Sequence, residues 1–219
     1  AFLTRRKQCV RIRDKMSSFR YLNGGIPQGT KLGPILFAVL VNSLLRDWNF
    51  RVKFVDDLTT IECIPRCYLS MTPLLVNDIY DYALTRGMRL NPKKCKEMII
   101  NFLQYRLPFQ NTLQVGRNAI ERVSSYKLLG VYLQSDLAWN LHCDYITKKA
   151  NKRFYILRIL RRVRIGYEQL ETVYCSLIRP ILEYATSVWS AIPDCLKAKV
   201  ERVQKRAFKI IDPGLSYEE

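Results

Sequence analysis

The sequence predicts an α+β fold, with an antiparallel sheet and its helices over residues 1–135 and an all-helical region over residues 136–219. Three observations lead there. Before residue 135, short runs alternate apolar and polar residues between Gly, Pro and Asn. After it, apolar residues recur at helical spacing among many basic ones. Finally, 36 Lys and Arg stand against 19 Asp and Glu, a net charge of +17. A balance this basic favours a polyanionic partner, nucleic acid ahead of an anionic membrane surface. The 48% hydrophobic content is enough to fill a core.

In chain order, residues 8–13 alternate Val10 and Ile12 with basic residues, the pattern of a half-buried strand. Residues 14–18 form a polar turn, and 19–22 the returning strand. Three glycines and a proline then punctuate a loop over residues 23–34. The apolar run 32–45 is too short to span a bilayer and contains Asn42 and Ser43. It predicts a buried helix reaching Trp48, with Pro34 in its first turn.

Residues 51–61 predict a strand, a two-residue turn and a second strand, with Asp56 and Asp57 at the tip. A rigid tip suits metal ligands. A plain solvated turn is the alternative, because Asp tolerates turn geometry.

Leu75, Ile79, Tyr82 and Ala83 mark a helix over residues 72–86, with Gly87 as its C-terminal cap. Residues 95–102 predict a strand with Met98, Ile100 and Phe102 on one face. Residues 106–123 read as loop and short hairpin. A strong strand signal over 126–133 is interrupted at Gly130, which marks a bulge or a close backbone approach. Residues 144–164 predict one long helix without an acid after Asp144. Its stripe of Phe154, Leu157 and Leu160 lets it dock while displaying charge. Further helices follow at 167–177, 180–189 and 194–211.

Seven cysteines, an odd number, and no secretion signal fit reduced thiols in an intracellular protein, nuclear or cytoplasmic. A zinc site would need Cys63 and Cys67 to meet His142 and Cys143 across the fold. Trp139 and His142 read instead as packing residues. The chain opens at Ala1 in mid-pattern without a Met, as a piece of something longer would.

The order of motifs carries a resemblance. Gly25-Ile26-Pro27-Gln28-Gly29, an apolar helix, Phe54-Val55-Asp56-Asp57, a helix, and Leu90-Asn91-Pro92-Lys93-Lys94-Cys95-Lys96 together resemble a reverse transcriptase palm, closest to the non-LTR, LINE-type enzymes. Tyr126-Lys127-Leu128-Leu129-Gly130-Val131 resembles their primer-grip hairpin. Leu137-Ala138-Trp139-Asn140-Leu141-His142, the basic helix and Leu177-Ile178-Arg179-Pro180 resemble the thumb that follows.

The resemblance implies an RNA-directed DNA polymerase that adds deoxynucleotides to a primer by a two-metal mechanism with Mg²⁺ or Mn²⁺. Its partners would be an RNA template and DNA primer, or an RNA–DNA duplex, and deoxynucleotide triphosphates, with no membrane. Asp56 and Asp57 would be metal ligands, and Lys94 would approach the leaving pyrophosphate. Pro27, Gln28 and Gly29 would pack under the templating base and nucleotide, where glycine permits close approach. Leu129 and Gly130 would grip the primer, while Lys148, Lys149, Lys152, Arg153 and Arg161 would track the nucleic-acid backbone. One departure is plain. The family's first catalytic motif and its fingers lie upstream of the Gly-Ile-Pro-Gln-Gly loop, where Asp14, in a basic turn, does not match. The expectation is therefore a partial palm and a thumb, inactive alone. The rival reading is a non-catalytic nucleic-acid-binding protein from a decayed retroelement.

Overall fold

Among the residues that the computed structural model describes (5–22, 24–25, 29–66, 68–103 and 111–214), these periods become twelve short strands and seven helices. In chain order they are β1 (Lys7–Gln8), β2 (Arg11–Ile12), β3 (Lys15–Met16), β4 (Arg20–Tyr21), α1 (Leu32–Val41), β5 (Arg51–Phe54), β6 (Asp57–Thr60) and α2 (Thr72–Thr85). There follow β7 (Lys96–Glu97), β8 (Gln114–Val115), β9 (Asn118–Ala119), β10 (Glu121–Arg122), β11 (Ser125–Leu128) and β12 (Val131–Gln134). The chain closes with α3 (Asn140–Arg162), α4 (Tyr167–Leu177), α5 (Arg179–Glu183), α6 (Thr186–Trp189) and α7 (Asp194–Ile211). The described strands pair only in twos, and of the six ladders β7–β10 alone is parallel, so the expected antiparallel sheet is replaced by separate ladders. No described helix is long and apolar enough to cross a membrane. Packing groups Ala1–Pro92 with Leu113–Ala119 as one compact unit, and Lys93–Thr112 with Ile120–Glu219 as another.

In the first unit, β1 pairs with β4 and β2 with β3, all antiparallel. The strand expected over residues 8–13 is therefore two strands. The break has a cause: the Val10 N–H donates to the Ser17 hydroxyl at 2.9 Å and so leaves the backbone ladder. Helix α1 is shorter and barer than its sequence predicts. It stops at Val41, the chain turns through residues 42–47, and Leu45 takes a left-handed φ of 51°. Only Gly33 of α1 is buried, while Ile35 and Val39 are exposed, so it is not the buried helix expected.

Glu62 holds the start of α2. Its carboxylate accepts from the Ser70 hydroxyl, the Met71 and Thr72 N–H groups and the Thr72 hydroxyl. Burial alone would raise that carboxyl, but these four donors outweigh it and hold it below its usual range. At the other end Gly87 has φ +67°, and the Met88 N–H returns to Ala83 O at 2.8 Å, as a glycine cap requires. The β8–β9 turn seats on α2, because a Cβ at Gly116 would meet the Tyr80 hydroxyl oxygen at 3.0 Å.

The second unit is built on α3. Cys143, Ile146, Ala150, Phe154 and Leu157 are buried along one stripe, and half-buried Leu160 packs beside them. Tyr174, Ile178, Leu182 and Trp189 cover it, as do Leu196, Val203, Ala207 and Ile211 of α7. Asp144 pairs with Lys199 and Asn151 with Arg206, both 55 residues apart. A constant offset means that α3 and α7 run side by side in the same direction.

Two expectations change here. The strand over 95–102 shrinks to β7, because its parallel partner β10 is only two residues long. The helix over 180–189 is broken into α5 and α6 at Ala185, φ +55°, where Trp189 Nε1 donates to the Tyr184 carbonyl at 2.8 Å.

The signal over 126–133 is a hairpin. β11 and β12 pair around Leu129 and Gly130, with φ +46° and +93°. Two positive φ values match the twist of a two-residue hairpin. The close approach expected at Gly130 is present: a Cβ there would lie 3.1 Å from the Tyr184 ring, whose hydroxyl donates to Leu129 O at 2.7 Å. We expect Gly130→Ala to destabilise the chain by about 1–3 kcal/mol, through left-handed strain and ring displacement. A urea unfolding curve measures this, and an unshifted midpoint would show that the ring yields freely.

Candidate functional site

The acidic tip belongs to the first unit. Phe54 and Asp57 are paired across β5 and β6, so the two turn residues are Val55 and Asp56, and Asp57 begins the second strand. The tip is thus one residue earlier than the Asp-Asp pair suggested. Residues directly opposite share a face, which puts Asp57 beside Phe54 on the exposed side of the hairpin. Asp56 is also exposed. Val55 has φ +52°, a rare conformation for a β-branched side chain. Such strain persists only where the surroundings enforce it.

Those surroundings are the C-terminal carbonyls of α1. Lys53 Nζ donates to Val41 O at 2.9 Å and to Asn42 O at 3.0 Å. A cation there also meets the negative end of the helix dipole. Burial, and then the nearby Arg51, lower the Lys53 ammonium below its ordinary value. Arg51 donates to Trp48 O at 2.6 Å, and Trp48 Nε1 to Ile61 O at 3.2 Å. The face of Arg51 and Lys53 is therefore the seated face, while Val52 and Phe54 point outward. α2 is tied to the same place: Tyr82 donates to Leu40 O at 2.7 Å and accepts from the Ser43 hydroxyl at 2.8 Å.

Two adjacent carboxylates on a seated tip offer hard oxygen donors, the chemistry that Mg²⁺ takes. Among the described residues no group of three or more His, Cys, Asp or Glu converges as a complete metal site, so the tip fits as part of one. Asp14 lies in the turn between β2 and β3. Pro27 and Gln28 lie outside the described residues. Gly29 is exposed, with φ +77°, and nothing lies within 4 Å of where its Cβ would stand. Its backbone is open to close approach.

The remaining candidates belong to the second unit. Lys94 is exposed in the turn before β7. Leu129 and Gly130 form the β11–β12 turn described above. Lys148, Lys149, Lys152 and Arg153 are exposed on α3. Arg161 differs: it is half-buried and its guanidinium donates to the Lys209 and Ile210 carbonyls at the end of α7. It caps a helix.

Sequence reasoning passes over Lys127. On β11, it donates to the Tyr145 hydroxyl at 2.8 Å and lies 4.3 Å from that ring's centroid. This bond holds the Tyr145 phenol below its ordinary value and leaves its O–H free to donate outward. The basic residue alternating with Tyr126 and Leu128 was the available signal.

His142 joins the hairpin to α3. It is fully buried between Trp139 and Trp189, and its Nδ1 accepts the Tyr132 N–H at 3.3 Å. Nδ1 can accept only in the neutral ring. Burial accordingly lowers the imidazole from its ordinary 6.5.

Comparison with known proteins places these residues. The reverse transcriptase (RNA-dependent DNA polymerase) family matches residues 1–133. The chain is 22% identical over 229 residues to a probable RNA-directed DNA polymerase from transposon BS of Drosophila melanogaster, covering 96% of this chain and 25% of that protein. It is 26% identical over 107 residues to the Pol polyprotein of the type-1 retrotransposable element R1 4 of Nasonia vitripennis, covering 48% of this chain and 25% of that one. With the RNA-directed DNA polymerase of mobile element jockey of Drosophila funebris it shares 21% over 209 residues, 89% of this chain and 22% of that protein. The chain spans about a quarter of the length of these relatives. No solved structure matches it.

Two outcomes follow from the two anchors. Lys53→Met leaves the Val41 and Asn42 carbonyls without their partner and should cost about 1–2 kcal/mol, read by urea unfolding. For His142, the folded value is lowered, so its contribution is complete above pH 6.5 and is lost as pH falls below it. The melting temperature should drop between about pH 7 and pH 5, and His142→Phe should flatten that drop.

Proposed function

Because the chain belongs to the reverse transcriptase (RNA-dependent DNA polymerase) family, of the non-LTR kind, we propose that it is part of an RNA-directed DNA polymerase that extends a primer with deoxynucleotides on an RNA template. The observation that supports this most is the seated Asp56–Asp57 tip within the matched residues. In this reading residues 1–135 are a partial palm and residues 136–219 a thumb-like region.

Asp56 and Asp57 would hold a divalent ion, Mg²⁺ or Mn²⁺. When bound, it neutralises phosphate charge and orients the reacting oxygens. The remaining work is positioning by this chain's own residues. The Lys53 anchor fixes the tip, and a fixed carboxylate pair loses little freedom when substrate arrives. Gly29, with Pro27 and Gln28, would give the base pair a flat backbone to rest on. Leu129 and Gly130 would place the primer end. Lys94 would set a cation near the departing pyrophosphate. Lys148, Lys149, Lys152 and Arg153 would neutralise phosphates of the duplex, with Arg161 acting through the helix it caps.

The tip offers two carboxylates, and a two-ion site needs a further one from a neighbouring strand. Residues 1–219 alone are therefore expected to give no Mg²⁺-dependent primer extension. Joined to a segment of a related element that carries the family's first catalytic aspartate, they should extend a primer, and Asp56→Ala should lower that rate more than about a hundredfold. Extension by the joined protein that survives Asp56→Ala would remove the assignment.

A second reading, a non-catalytic nucleic-acid-binding protein of retroelement descent, draws on the absence of a three-ligand cluster among the described residues. It requires the joined protein to stay inert while duplex binding persists. In both readings, charge reversal at Lys148, Lys152 and Arg153 should weaken duplex binding and make its salt dependence shallower by about one unit per residue. Fluorescence anisotropy over a salt series reads this.

A further inference from the structure

α3 and α7 enclose an open notch of about 300 Å³ between Thr147 and Asn151 on one side and Lys199, Arg202, Val203 and Arg206 on the other. Three of its six lining residues are cations. On α7 those cations stand at i, i+3 and i+7, so they form one stripe along the helix. The counter-charge is small. Asp144 pairs with Lys199, which leaves Arg202 and Arg206 in excess. Glu201 acts on Tyr174 of α4 and so lies on another face of α7.

The two arginines are oriented. Arg206 lies 5.7 Å from the Phe154 ring centroid, and its Nη1 donates to Asn151 Oδ1 at 3.4 Å. Asn151 is itself fixed, because its Nδ2 donates to the Thr147 carbonyl at 2.8 Å. Arg202 is held through Nε alone, on the Ala198 carbonyl at 3.2 Å. Its two terminal nitrogens therefore keep their donors, in a fork that matches phosphate oxygens. An apolar small molecule does not suit this lining, which is small, open and charged.

We propose that this notch is a phosphodiester-binding site, in which Arg202 and Arg206 grip one backbone phosphate of a bound duplex while Asn151 sets the Arg206 guanidinium. This rests on the nucleic-acid reading above, but it places the tightest single contact on α7, away from the exposed lysines of α3. The two helices would then read the backbone together, α7 with a geometric clamp and α3 with diffuse charge.

The test is fluorescence anisotropy of an RNA–DNA duplex with the full chain across a salt series. Arg202→Gln with Arg206→Gln should weaken binding at least tenfold at moderate salt and make the slope shallower by about two. Arg206→Lys should restore about half of that slope loss, since it keeps the charge and loses the fork. Both substitutions fall on exposed positions, and melting temperature checks that the unit is intact. Wild-type affinity and slope in the double variant would overturn the site. If a Lys148→Gln, Lys152→Gln variant weakens binding while the arginine variant does not, the notch alone fails. If neither weakens it, the nucleic-acid reading fails with it. Binding of anionic vesicles, but not duplex, lost in the arginine variant would overturn the site in favour of a lipid surface.

Discussion

The first unit depends on what becomes of the last carbonyls of α1. A helix ends with carbonyl groups that have no partner within it, and each must find one or meet water. Here two other elements supply the partners. Tyr82 of α2 takes Leu40, and Lys53 of β5 takes Val41 and Asn42. One unsatisfied helix end thus fixes both the following helix and the acidic hairpin. It also explains why that hairpin turns its charged face inward and its apolar face outward. Arg51 and Lys53 are committed to carbonyls, so Val52 and Phe54 take the side that alternation leaves to them.

The second unit is held together by burial. α3 supplies the stripe, and α4, α5 and α7 lie over it. Polar groups join it only at defined points: Lys199 on Asp144, Arg161 at the end of α7, Tyr184 beneath the β11–β12 turn, and His142 behind β12. Several of these side chains are basic or aromatic residues that, by type alone, resemble ligand-binding ones. Arg161 shows the difference. Its charge is spent on carbonyls within the unit, whereas Lys148 and Lys152 on the same helix face water.

Elements with a strong internal period were legible from the chain alone. α4 and α7 fall where their apolar spacing puts them, and α2 ends beside Gly87 as its cap predicts. The stripe of Phe154 and Leu157 is the core of α3. What could not be read depended on partners distant in sequence. α1 was expected to be long and buried because its composition is apolar, but its length is set by side chains from other elements. The strand expected at 95–102 had the right alternation and lacked a neighbour to pair with. At the tip, two adjacent aspartates fixed the place of the hairpin within one residue, while its register came from the pairing of Phe54 with Asp57. The α7 arginines carried no motif, and only their packing beside Asn151 sets them apart.

The shared direction of α3 and α7 has a consequence for how the chain is made. The stripe on α3 is covered by partners 55 residues further on. A ribosome needs roughly 3 to 11 seconds to add that many residues. During that time α3 is complete while much of its apolar face has no α7 to cover it. The second unit is therefore one whose core closes late in synthesis, and the basic residues beside that stripe keep the waiting helix soluble and repel other nascent copies of it.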